Sequence, residues 1–161
     1  MTARNPITRA WRSLVRRASS KLIERQKFSP EARLGRNGEE AAYWYLRDQG
    51  FTMVEKNYRP EGLRGEIDLI GWDGDVLVFV EVKTRQGTGV MTPEAAVDRD
   101  KQRNMIAAAQ QYRRHANLMA RPYRFDVFSV TVERDDAARA SSKMKLEHFR
   151  DAFRDESAAG S

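Results

Sequence analysis

Along residues 64–83 two runs rich in apolar residues meet at Asp73-Gly74. The first run carries Ile67, Leu69 and Ile70, and the second Val76, Leu77, Val78, Phe79, Val80 and Val82. Asp-Gly between β-branched or apolar runs signals a tight type I′ hairpin, so strands are predicted over 64–72 and 75–83. That turn sets a register in which Trp72 faces Asp75, Ile70 faces Leu77, Asp68 faces Phe79 and Glu66 faces Glu81. Successive side chains alternate between the faces of a strand. Glu66, Asp68, Ile70, Leu77, Phe79, Glu81 and Lys83 therefore share one face, and Ile67, Leu69, Val78, Val80 and Val82 the other. The second strand is apolar on both faces as far as Glu81, the pattern of a central strand covered on both sides.

The rest of the chain supplies partners for this hairpin. Ile7, Trp11, Leu14, Val15, Ala18 and Leu22 recur at helical spacing with Arg12, Arg16, Arg17 and Lys21 off the stripe, which predicts a basic amphipathic arm over 1–30. A helix opens at Ser29-Pro30, passes Glu39 and ends before Gly50, with Gly35 and Gly38 as weak points. A first strand follows over 51–57, then a loop over 58–63. Thr92-Pro93 is read as the cap of a helix reaching Asn117, with the stripe Val97, Lys101, Met105, Ala108 and Tyr112. Lys101 interrupts that apolar stripe, either snorkelling from a packed face or reaching toward a phosphate. A strand over 124–133, a polar loop, a short closing element over 146–153 and a disordered tail over 154–161 complete the reading. Strand, hairpin and late strand, with one helix before and one crossing between, define an α/β fold with a mixed sheet.

Composition narrows the function classes. The 161 residues suit one domain over 31–153 behind the arm, and no apolar run is long enough to span a bilayer. There is no Cys, which removes disulfides, thiolate metal sites and a cysteine nucleophile, and which suits a cytoplasmic protein. The two histidines, His115 and His148, are read as surface residues. The net charge of +6 comes from the arm: residues 1–36 hold ten Lys/Arg against two acids, whereas 37–161 hold nineteen against twenty-one. A phosphate track on the domain therefore rests on local cations, namely Lys83, Arg85, Arg99, Lys101 and Arg103.

The hairpin carries the candidate chemistry. Opposed Cβ atoms lie about 4.5–5.5 Å apart and diagonal ones about 7–8 Å, so Glu66, Asp68 and Glu81 form a carboxylate cluster with Lys83 beside it. Such a cluster needs a bound cation, raised pKa values or solvent. Hard oxygen ligands without Cys or His suit Mg²⁺ or Mn²⁺ and not zinc. Glu66 is read either as support for a metal ligand or as an ion-pair partner for an arginine, with the arginine favoured.

These residues also carry a resemblance. Gly35-Arg36-Asn37-Gly38-Glu39, Gly65-Glu66-Ile67-Asp68-Leu69-Ile70, Val78-Phe79-Val80-Glu81-Val82-Lys83, Glu94-Ala95-Ala96-Val97, Lys101 and Arg124-Phe125-Asp126-Val127 closely resemble the YraN-like uncharacterised bacterial proteins, over residues 34–153. Those proteins resemble the PD-(D/E)XK nuclease superfamily, and within it the Holliday-junction resolvases. The resemblance implies a restriction-endonuclease-like three-layer α/β core with a mixed central sheet flanked by helices. It implies that Asp68 is the motif aspartate, Glu81 and Lys83 the E-x-K pair, and Glu39 the first-helix glutamate, with Asp68, Glu81 and Glu39 as ligands of Mg²⁺ or Mn²⁺. The superfamily's Pro before the aspartate is Ile67 here. The implied activity is metal-dependent hydrolysis of phosphodiester bonds in DNA, with branched or repair intermediates as a substrate class and a homodimer as the assembly a resolvase requires. The alternative is a non-catalytic nucleic-acid-binding or assembly protein that keeps the fold. For the arm, the expected contact is DNA, a protein partner or an anionic membrane.

Overall fold

A computed structural model of the chain describes residues 30–87, 97–134 and 142–156. Residues 1–29 of the arm expected over 1–30, and the segments around Thr92-Pro93 and 135–141, lie outside the described residues. In chain order the elements are helix α1 (Pro30–Asp48), strands β1 (Thr52–Tyr58), β2 (Ile67–Asp73) and β3 (Val76–Gln86), helix α2 (Arg99–His115), and strands β4 (Tyr123–Arg134) and β5 (Ser142–Phe153). The strands form one five-stranded sheet in the order β1-β2-β3-β4-β5. Only β3 and β4 run parallel; the other neighbours are antiparallel. A parallel pair needs a crossover, and α2 lies on it. Among the described residues no helix is long and apolar enough to cross a membrane.

One apolar cluster lies on each face of the sheet, giving three layers. On the α1 side Ala42 and Leu46 pack with Leu69, Val78, Val80, Phe128 and Val130. On the α2 side Met105, Ala108 and Tyr112 pack with Ile70, Leu77, Phe79 and Phe125. β3 is the central strand, and its residues from Leu77 to Glu81 are buried without a break. The expected two-sided covering of this strand is what the structure has.

Local chemistry sets the element ends. After α1, the Phe51 N–H donates to the Leu46 carbonyl and the Gly50 N–H to the Arg47 carbonyl, each at 3.0 Å, with Gly50 at φ +92°. This is the Schellman arrangement, and its apolar pair, Leu46 with Phe51, is buried in the α1-side core. Gly38 does not weaken the helix. It lets α1 approach β3, since a Cβ there would penetrate the Thr84 side chain.

The structure corrects several expectations. The hairpin loop is Gly74-Asp75, one residue later than expected, with Asp73 paired to Val76 and Ile70 to Phe79. Only the first loop residue has positive φ, Gly74 at +60°, which is the requirement of a II′ turn and not a I′ turn. The register therefore moves by two residues, which keeps each side chain's face. Ile67 is the exception. It joins the α2-side core instead of the Leu69 side, at a point where β2 is paired to β1 through Tyr58 and no longer to β3. The second helix begins at Arg99, not near Thr92: Asp98 is its N-cap, extended at φ −67°, ψ 164°, and accepts the Lys101 N–H at 2.8 Å. Val97 thus precedes the helix and packs with Val127. The closing element is a twelve-residue edge strand. Beyond it Asp155, expected in the tail, accepts hydrogen bonds from Gln110 Nε2 (2.7 Å) and the Tyr123 hydroxyl (3.3 Å).

Gly38→Ala gains helix propensity worth about 1 kcal/mol but drives a methyl into a β-branched side chain whose Cβ and Cγ2 also crowd it. The expected outcome is a net loss of about 1–2 kcal/mol in urea unfolding. Adding Thr84→Ala to that variant should restore most of the loss.

Candidate functional site

The β2–β3 ladder stops at Leu69 and Val80. One step further the register would place Asp68 opposite Glu81, and here a side chain replaces the strand partner: the Val82 N–H donates to Asp68 Oδ2 at 2.7 Å. β3 itself does not stop, because it remains paired to β4 as far as Gln86 and Val132. The result is a notch between a departing β2 and a fixed β3, with both carboxylates inside it. Asp68 is 6% exposed and Glu81 2%.

Charges on three elements meet there. Lys83, two residues along β3 on the Glu81 face, places Nζ 2.9 Å from Glu81 Oε1. Lys101, from the first turn of α2, places Nζ 3.1 Å from Glu81 Oε2. That oxygen is buried and makes no hydrogen bond, so the Lys101 contact is an ion pair without hydrogen-bond alignment. Glu39 on α1 is close enough to act on the charge of Asp68. Its approach depends on its neighbour Gly38 lying against Thr84 of β3.

Burial is the main reason the Asp68 carboxyl is pushed up from 3.8 to about 7, and the Glu81 charge adds to it. The Val82 N–H and Lys101 pull the other way without cancelling the shift, and Glu39 raises it further. Burial pulls Lys101 down, but Glu81, then Asp68 and Glu66, outweigh it and hold the ammonium above its usual range. Glu66 takes the arginine favoured for it: Arg59 Nη2 lies 2.8 Å and Nε 3.0 Å from its Oε2.

Asp68, Glu81, Lys83 and Lys101 are thus brought together, with Glu39 within electrostatic reach. Arg85, Arg99 and Arg103 are exposed, and Arg103 is paired with Asp100 on its own helix. Among the described residues no three His, Cys, Asp or Glu side chains are gathered as a metal-binding set.

Sequence reasoning missed a third buried acid. Asp126, wholly buried on β4, accepts from Arg124 (2.9 and 3.1 Å) and from the Asp151 N–H (2.9 Å), and meets His148 Nε2 at 2.9 Å. His148 is therefore not a surface residue; its side chain is 10% exposed and lies against Phe51 and Phe128. His115 is exposed, as expected. Burial pushes the Asp126 carboxyl up, but its His148, Arg124 and Asp151 hydrogen bonds outweigh that and hold it below the usual range. Asp151 has φ +50°, opposite the irregularity between Phe125 and Val127 in the β4–β5 register. Asp126 thus anchors a bulge in the edge strand, and its role is structural. Arg124 and Asp126, a charged pair flanking Phe125 in the apolar first half of the strand, were the available signal.

Uncharacterised protein family UPF0102 matches residues 38–130, more than half of the chain. The chain is 43% identical to a UPF0102 protein of Solibacter usitatus (strain Ellin6076) over 140 residues, covering 87% of this chain and 98% of that protein. It is 44% identical to a UPF0102 protein of Chlorobium chlorochromatii (strain CaD3) over 120 residues, 74% of this chain and 90% of the relative. With a Rhodococcus opacus (strain B4) relative it shares 39% over 120 residues, 74% and 95% of the two chains. The chain belongs to the UPF0102 family, the YraN-like group whose residues the sequence resembles.

Because the folded Asp68 keeps its proton up to about pH 7 and an unfolded aspartate releases it near 3.8, the folded state binds more protons between these values. The contribution of Asp68 to stability therefore falls as pH rises through that window. Asp68→Asn removes the effect. In urea titrations its stability relative to wild type should be more favourable at pH 8 than at pH 4.5, with the change falling between about pH 4 and pH 7.

Proposed function

We propose that this protein is a metal-dependent nuclease that hydrolyses phosphodiester bonds in DNA, acting in the cytoplasm. One observation carries the reading: Asp68 and Glu81 are buried side by side where β2 leaves β3, with Lys83 against Glu81 on the same face. A packing strand gains nothing from two buried acids. Buried acids with a perturbed pKa and a charged partner beside them are candidates for a functional site. The resemblance of Asp68 and Glu81-Val82-Lys83 to the PD-(D/E)XK motif supports the same chemistry.

The donor set fits Mg²⁺ or Mn²⁺, since it consists of hard carboxylate oxygens and includes a buried Glu81 oxygen with no hydrogen bond. Asp68 and Glu81 would hold the ion, with Glu39 and the Val82 carbonyl as further ligands. When bound, such an ion polarises a phosphodiester oxygen and lowers the pKa of a water. Lys83, held on a strand that β4 keeps in place, would orient an attacking water or stabilise the charge that develops on the phosphoryl oxygens. The exposed Arg85, Arg99 and Arg103 supply contacts to the phosphate backbone. The resemblance in motif to the resolvases favours branched DNA and repair intermediates as substrates, and a homodimer for symmetric cuts.

The test is cleavage of labelled single-stranded, duplex, flap and four-way-junction DNA with Mg²⁺ or Mn²⁺. Wild type should cut at least one of these. Glu81→Ala and Lys83→Ala should each lose about 100-fold or more in rate, the scale seen when a group stabilising developing charge is removed. Binding by wild type without cleavage under either metal would point instead to a non-catalytic nucleic-acid-binding protein.

A further inference from the structure

Lys101 is placed unlike a snorkelling lysine. A snorkelling side chain lays its methylenes on apolar surface and puts the ammonium in water. Lys101 turns its ammonium inward, its side chain 23% exposed, to the one Glu81 oxygen that makes no hydrogen bond. Glu81 and, after it, Asp68 act on the same ammonium, so it lies in the field of both acids of the notch. Lys83 differs: it meets the other Glu81 oxygen and is more exposed, at 35%. The Lys101 backbone is fixed by the Asp98 cap, while its side chain keeps four rotatable bonds.

We infer that Lys101 is the resident counter-ion of the Asp68–Glu81 pair, holding the position a divalent cation takes there and leaving it when that cation binds. The inference rests on the metal-binding reading of the site. The charges drive the exchange. A divalent ion takes the place of the Asp68 proton and meets two carboxylates that Lys83 and Lys101 then balance, so it leaves an excess of positive charge at short range in a poorly solvated notch. Lys101 is the group able to relieve it, because the backbone that carries it belongs to the helix covering the notch and not to the strand that forms it. Displaced, its ammonium is available to a phosphate.

Two measurements test this on the full chain. Titration calorimetry with MnCl₂ compares wild type with Lys101→Met, which keeps the aliphatic stem; the variant should bind Mn²⁺ about ten-fold more tightly, since no ammonium competes. In wild type, lysine acetylation read by peptide mass spectrometry should show Lys101 several-fold more reactive with Mn²⁺ than without, while exposed Lys145 is unchanged. This second readout needs no variant to fold. Equal or weaker Mn²⁺ binding by Lys101→Met, or a Lys101 reactivity that Mn²⁺ leaves unaltered, overturns the inference while the metal-binding reading stands. Binding by neither protein overturns both.

Discussion

The hydrogen bond from the Val82 N–H to the Asp68 carboxylate is where sheet geometry turns into site geometry. Up to Leu69 and Val80 the two strands satisfy each other's backbone, and their side chains are apolar on both faces. Beyond that pair the ladder has no further partner to offer on β2, and a buried N–H without an acceptor is costly. Asp68 supplies the acceptor. In doing so it is drawn into the sheet beside Glu81, and β2 is released from β3. The strand that carries Glu81 and Lys83 stays fixed by its parallel pairing to β4, so the acids and the lysine sit on rigid backbone.

The two buried aspartates of this sheet show how environment divides structural from chemical roles. Asp126 is the more deeply buried, yet it has an arginine, a histidine and a backbone N–H, and its carboxyl stays below the usual range. Asp68 has one backbone N–H and a second carboxylate beside it, and is pushed up to about 7. Burial acts in the same direction on both; the partners decide the outcome. A carboxylate whose acceptor capacity is used up holds a bulge in place. One with capacity left over, next to another acid, is suited to a cation.

Much of this was legible in the chain. The central strand, both faces of the hairpin, the helix-ending Gly50 and the Asp68, Glu81 and Lys83 grouping all follow from period-two alternation and turn chemistry. The failures have local causes. Asp73-Gly74 reads as a I′ loop, but Gly74 takes the first loop position of a II′ turn, and the register moves by two residues. A shift of two preserves the faces, which is why the site survived the error while the opposed pair changed from Glu66 with Glu81 to Asp68 beside Glu81. Ile67 fails because alternation holds only while both neighbouring strands constrain the backbone. The N-cap Asp98 was hidden by the stronger Thr-Pro signal upstream. Asp126 and His148 are separated by 22 residues, and no local pattern joins them.

Neutralising the notch explains why the lysines come from two kinds of element. An E-x-K spacing on a strand puts Lys83 on the Glu81 face and holds it there through the ladder with β4. A helix crossing the same face presents Lys101 from above, where an apolar residue would continue the Met105, Ala108 and Tyr112 stripe. An apolar side chain at 101 would cover Glu81 and leave one of its oxygens with no cation, which for a residue this deeply buried is worse than a gap in the stripe. The interruption at Lys101 is therefore set by the acids below it. The helix stripe and the carboxylate pair are one feature, read from its two sides.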